Sequence, residues 1–237
     1  MTIDLNCDMG EREDIDQERL LALVSSANVS CGAHAGTPQL IERTLRLAKQ
    51  HGVACGAHPG YPDPDNFGRL SLPLRAREIE DTVEAQVRAL AGIAAALGIE
   101  LVHVKPHGAL YNDAARNPGI AAAVARGVAR WSLRAVLVGL AGMPCLDLWR
   151  SLGFRVAAEA FADRAYEPDG TLRPRNRPGA LIKDPAEAAA QALTLARRGD
   201  VQTLCIHGDT PGAGAILAAV RARLENEGIG IASGFGS

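Results

Sequence analysis

Apolar and polar positions alternate along this chain in one repeated unit. A helix-like stretch ends in glycine, a short apolar run follows, and polar residues close the run. The unit is clear in "LAKQHGVACGAHPG", "AALGIELVHVKPHG", "WRSLGFRVAAEAFADR" and "ARRGDVQTLCIHGDTPG", and it fades in "ENEGIGIASG". Gly52, Gly98, Gly153, Gly199 and Gly228 sit where a helix C-terminus needs a left-handed residue. At the other ends, Thr37, Asn117 and Asp184 each precede a proline, the pattern of an N-cap followed by Pro at the first helical position.

Strands are predicted over roughly 2–7, 26–30, 53–57, 100–105, 134–140, 154–158 and 202–207, with helices between them and a last helix near 213–227. Nearly continuous apolar strands that alternate with helices indicate a parallel sheet covered on both faces. Seven such units without a break in composition predict one domain over 1–237. Periodicity alone leaves a closed barrel and an open sheet both standing.

The placement of polar residues favours the barrel. In parallel α/β folds the chemistry gathers beyond the carboxyl ends of the strands. Those ends carry Asn6 and Asp8, Asn28 and Ser30, His58, Lys105 and His107, Glu159, and His207 and Asp209. Side chains two apart on a strand share a face. Asp4, Asn6 and Asp8 therefore point one way, as do His103, Lys105 and His107, and Cys205, His207 and Asp209. Six strand ends converge on one centre more easily in a barrel than along an open edge.

The stretch "HVKPHGALYN" is dense in polar groups directly after a buried-looking run, an expensive arrangement unless the groups are used. Of its histidines, His103 lies early in the strand and reads as structural. His51, beside the helix-ending Gly52, reads as a dipole partner. The glycine-rich "HGDTPGAGA" can offer backbone N–H groups to an anion, or be a plain turn. In the long loop "ADRAYEPDGTLRPRNRPGAL", Arg164 is close enough to the strand end at Glu159 to serve a carboxylate or phosphate. Arg173, Arg175 and Arg177 are expected to face solvent or a partner.

Bulk properties narrow the class. The chain of 237 residues is 47% apolar, enough for a substantial core, and its formal net charge of −2 with no long basic run disfavours nucleic acid and anionic membranes. No transmembrane run is present, and the acidic start "MTIDLNCDMGERED" is unlike a secretion signal, so the expected compartment is the cytoplasm. Five cysteines without a C-x-x-C pair indicate neither a disulfide framework nor a zinc ribbon. A G-x-x-x-x-G-K-[ST] phosphate loop and a G-x-S-x-G elbow are both lacking. What remains is a cluster of carboxylates, imidazoles and one lysine, suited to hydrolysis by an activated water.

The blocks "IDLNCDMGE", "SSANVSCGAHAG", "GVACGAHPGYPD", "NFGR", "HVKPHGALYN", "EAFADRAYEPDGTLRPR" and "TLCIHGDTPGA" resemble the signature segments of the LamB/YcsF lactam-utilization family, the A subunits of bacterial 5-oxoprolinase. The resemblance runs from residue 2 to about residue 232. It implies a seven-stranded (β/α) barrel similar to those of glycoside hydrolases and polysaccharide deacetylases. It also implies ATP-dependent opening of 5-oxo-L-proline to L-glutamate together with subunits B and C, the ATP site lying on those partners. The chain departs from the family in two shortened loops, after "MGE" and before the last strand.

On this reading Asp8 or Asp209 with His207 would position and deprotonate water, and Lys105 and His107 would stabilise developing negative charge. Asn6, Asn28, His34, His58, Tyr111, Glu159 and Arg164 would hold the substrate. Two rivals stand beside it. One is a metal-dependent hydrolase or deacetylase with a divalent ion on Asp8, His34 and His58. The other is a non-catalytic protein that binds the lactam for its partners. Self-association into a homo-oligomer is compatible with each reading.

Overall fold

A computed structural model describes residues 1–235. Seven parallel strands close into a barrel: β1 Thr2–Met9, β2 Ser26–Ser30, β3 Ala54–His58, β4 Leu101–Val104, β5 Val136–Leu140, β6 Val156–Phe161 and β7 Thr203–His207. Each pairs with its sequence neighbour, and β1 closes the ring by pairing with both β7 and β2. The barrel anticipated from the converging strand ends is therefore the one that forms.

Helices cover the outside: α1 Gln17–Leu21, α2 Pro38–Gln50, α3 Ala76–Ala96, α4 Gly108–Arg116, α5 Pro118–Ala129, α6 Pro144–Ser151, α7 Pro185–Ala196 and α8 Ala213–Asn226. Thr37 Oγ1 accepts from Leu40 N, Asn117 Oδ1 from Gly119 N and Ile120 N, and Asp184 Oδ1 from Ala186 N and Glu187 N. Each such cap contributes about 1 kcal/mol. The five expected helix-ending glycines all take positive φ, from 65° at Gly98 to 90° at Gly153. Among the described residues no helix is long and apolar enough to cross a membrane.

Boundaries differ from expectation in informative places. β1 continues to Met9, because β2 and β7 pair with it as far as Met9 and Asp8. β4 stops at Val104, so Lys105 lies just past the strand. The fading last unit contributes an eighth strand, β8 Gly230–Ile231, which pairs with Thr2 and Ile3 of β1.

Strand parity sorts the side chains. Leu5, Cys7, Val29, Ala57, Leu137 and Ala160 point outward into one large apolar cluster with the helices. The interior is mostly polar, and polar groups are not confined to the carboxyl ends of the strands. Asp4, near the start of β1, is buried and accepts from Ser25, Ser26 and Thr203 hydroxyls. The amino-terminal mouth is lined with Phe235, packed on Val136, Val138 and Ala157 and tilted over the His103 ring at 4.3 Å. Gly56 makes room for that ring, since a Cβ there would sit 2.2 Å from it.

Candidate active site

The core of the site is a buried hydrogen-bonded column that rises through the barrel. His103 Nε2 lies 2.8 Å from Asn28 Oδ1, and Asn28 Nδ2 donates to Asn6 Oδ1 and to Asp8 Oδ1, both at 2.8 Å. Asn6 Nδ2 donates to Glu159 Oε1 and to Thr203 Oγ1. Lys105 Nζ then sits between carboxylates, 3.0 Å from Asp8 Oδ1 and 2.9 Å from Glu159 Oε1, with Cys205 Sγ at 3.2 Å. Lys105 is 2% exposed, so its ammonium survives burial only through these partners. Burial alone would lower its pKa, but Asp8, Cys205 and Glu159 hold it well above the usual lysine value. Burial pushes the Asp8 carboxyl up, and His58 and Lys105 outweigh it to leave the group well below its ordinary value.

Above this column lies a histidine layer. The loop after β1 carries Glu11 back over the barrel, where its Oε1 is 3.0 Å from His34 Nε2 and 3.2 Å from His107 Nδ1. His34 and His107 stack with centroids 3.8 Å apart. His58 Nδ1 meets the Lys105 carbonyl at 2.8 Å, and His107 Nε2 meets the Phe67 carbonyl at 2.9 Å. Burial lowers the His34 pKa to about 4 against the pull of Glu11, whereas Asp8 raises that of His58 despite burial. The contacts with His107 and His34 overcome burial to hold Glu11 well below the carboxylate range.

On the opposite wall His207 is oriented by a residue that the sequence pattern did not single out. Asp163, just after β6, lies 3.1 Å from His207 Nδ1 through either oxygen and accepts from His207 N and Thr210 Oγ1. The His207 ring stacks on Phe161 at 5.1 Å. Burial lowers the His207 pKa in spite of Asp163, which favours the neutral ring with Nε2 free as an acceptor.

These groups border a cavity of about 470 Å³ at the carboxyl end of the strands. Asp8, His58, Lys105, His107, Tyr111, Arg164, His207 and Asp209 all line it, together with the unanticipated Glu11, Arg69 and Arg116. Asn6, Asn28, Glu159 and His34 do not. The first three lie below Lys105, and His34 lies behind His107, so these four shape the site without bordering its space. For the same reason the trio Asp8, His34 and His58 is not a set that converges; Asp8 and His58 instead meet His107, with ligand atoms that all lie within 4.8 Å of one another.

The arginine expectations also need correction. Arg175 is not a solvent residue: it pairs with Asp209 at 3.1 Å on the cavity rim, where Arg69 pairs with Asp209 as well. Held by two guanidinium groups, Asp209 is kept below the ordinary carboxylate range although burial opposes this, and it is poorly placed to act as a base. Arg164 directs Nε to Ala180 O and Nη2 to Arg173 O, which pins the long loop after β6 against the barrel. Arg69 and Asp163 lay within recognisable blocks, "NFGR" and "EAFADR". Which residues of those blocks would reach the cavity depended on loop paths that no local pattern encodes.

Comparison with known proteins places this geometry. The A subunit of 5-oxoprolinase from Chloroflexus aggregans is 51% identical, with 97% of each chain covered, and that from Pyrococcus furiosus is 44% identical, with 97% and 96% covered. A lactam utilization protein from Thermus thermophilus superposes with a TM-score of 0.91 at 42% identity, covering 98% of this chain and 99% of that one. A family 4 carbohydrate esterase from Streptomyces lividans shares the fold at a TM-score of 0.53 and 11% identity, with 97% and 91% covered. The model of the LamB/YcsF family matches residues 3–235, and this protein belongs to that family.

Proposed function

We propose that this chain is the A subunit of an ATP-dependent 5-oxoprolinase and carries the hydrolytic half of its reaction. The observation that supports this reading best is the cavity wall itself. A neutral, Asp163-oriented imidazole faces a lysine-anchored cluster of carboxylates, under a rim that carries Arg69, Arg116 and Arg175. The names of the relatives point the same way.

A lactam carbonyl is a poor electrophile because its nitrogen donates into it. Phosphorylation of the carbonyl oxygen by ATP on a partner protein converts that oxygen into a leaving group and adds an anionic handle. The barrel then receives the activated ring. His207 Nε2 takes a proton from water as its oxygen bonds to the ring carbon, and Asp163 holds the resulting imidazolium in place. The carbon–nitrogen bond breaks and the nitrogen gains a proton, which leaves the open chain as an acyl phosphate; a second water then displaces phosphate from that carbon, and glutamate is the product. Lys105, by offsetting part of the charge of Asp8 and Glu159, weakens the repulsion of an anionic substrate by the wall. The rim arginines attract the substrate carboxylate and the phosphate.

The test is an assay in three parts. The chain alone is expected neither to hydrolyse ATP nor to open 5-oxoproline, because it lacks a phosphate loop and an unactivated lactam resists water. With subunits B and C and ATP, glutamate should form in step with ADP. Opening of 5-oxoproline by the chain unaided, or no effect of adding it to B and C, would overturn the proposed division of labour.

A further inference from the structure

Two ring nitrogens in the histidine layer face each other at hydrogen-bond distance. His58 Nε2 and His107 Nδ1 are 3.0 Å apart. Carbonyl oxygens only accept, so His58 carries its proton on Nδ1, toward Lys105 O, and His107 carries its proton on Nε2, toward Phe67 O. In neutral rings the two facing nitrogens then present lone pair to lone pair. A carboxylate oxygen lies beside each member of this pair. Asp8 Oδ2 is 3.4 Å from His58 Nε2, and Glu11 Oε1 is 3.2 Å from His107 Nδ1 and 3.8 Å from His58 Nε2.

We propose that Asp8, Glu11, His58 and His107 form a binding site for a divalent transition-metal ion at the wall of the cavity. A single proton can join only one pair among four acceptors, whereas one cation satisfies all four. Charge leads to the same conclusion. Asp8, Glu11 and Glu159 bring three formal negative charges into the buried cluster against the one positive charge of Lys105, which leaves the deficit that a divalent ion fills. Spacing agrees too. Ligands about 2.1 Å from a metal and at right angles to each other stand about 3.0 Å apart, and tetrahedral ones somewhat farther.

The surroundings are those that orient metal ligands. Each imidazole is fixed by a backbone carbonyl through its other nitrogen. Asp8 Oδ1 is held by Lys105 Nζ and Asn28 Nδ2, which leaves Oδ2 for the ion. Glu11 is held by His34, whose Nε2 is committed to it as a donor. Two imidazoles with two carboxylates suit zinc and its first-row neighbours better than calcium or magnesium. Such an ion supplies a Lewis acid and a bound water of lowered pKa. The site stands whether or not the lactam reading holds.

Metal content and Co²⁺ titration of the full chain test it without substrate. Protein purified from zinc-supplemented medium should hold about one ion per chain. After chelation, Co²⁺ should restore saturable visible absorption at the same stoichiometry and raise Tm. His58→Ala and Glu11→Gln should each lose stoichiometric binding and the Tm rise, whereas Asp209→Asn, at the rim, should keep both. Should the ligand variants fail to fold, the wild-type stoichiometry decides alone. Substoichiometric metal in the wild-type chain, with no Co²⁺ spectrum and no Tm response, would mean that a proton bridges the two histidines and would overturn the proposal. Metal binding with no activity in the three-part assay would refute the lactam reading and leave the site intact.

Discussion

Asp163 and His207 form a pair across the ends of β6 and β7: the carboxylate lies 3.1 Å from Nδ1 through both of its oxygens and also accepts from Thr210 at 2.6 Å. The contact fixes the His207 tautomer and leaves Nε2 toward the cavity. Asp163→Asn replaces an acceptor with an amide that can point a donor at Nδ1. Turnover in the complete complex should fall by about a hundredfold or more, as for loss of an oriented base. Circular dichroism and Tm should remain near wild type. Unchanged turnover would remove His207 from the chemistry.

Lys105 joins two buried carboxylates, so its removal leaves uncompensated charge in the interior. Lys105→Met should cost roughly 3–5 kcal/mol of stability, the range for breaking a buried pair from one side. Adding Asp8→Asn and Glu159→Gln to the same chain should restore much of the loss. Urea denaturation of the three variants measures both effects, and a Lys105→Met chain as stable as wild type would show that the carboxylates had already taken up protons.

Asp4 gives a pH dependence of known sign. Burial raises its pKa from 3.8 to about 6 although Thr203, Ser25 and Ser26 donate to it. The folded state therefore binds this proton more tightly than the unfolded state. The associated stability is full below pH 3.8 and is lost as pH rises through about 6. Relative to wild type, Asp4→Asn should gain up to about 3 kcal/mol between pH 4 and pH 7, since each tenfold change in proton affinity is worth about 1.4 kcal/mol. A difference between the two chains that stays flat with pH would contradict this.

Gly56 lies under the His103 ring, which cannot retreat because Asn28 and Phe235 hold it on other sides. Gly56→Ala should cost about 1–3 kcal/mol through overpacking. Thermal unfolding of Gly56→Ala beside Gly56→Ala/His103→Ala checks the cause. If the second change brings no relief, the clash is with something other than the ring.

Much of the fold was legible in the chain. Helix caps at Thr37, Asn117 and Asp184, glycines that take positive φ and the two-residue parity of strands are all local, encoded within a few residues of backbone geometry. They were enough to place seven strands and to turn Asp4, Asn6, Asp8, His103, Lys105 and His207 inward. The signature blocks carried the family. Partnership inside the barrel was not local. The loop after β1 brings Glu11 over the histidines, and the loop after β6 brings Arg175 to Asp209. Close packing against His107 sets His34 behind it, away from the cavity. Each of these contacts joins residues at least twenty-three positions apart. Which polar groups face one another across a closed sheet depends on register and loop path together, and these are settled only when the whole ring of strands has formed.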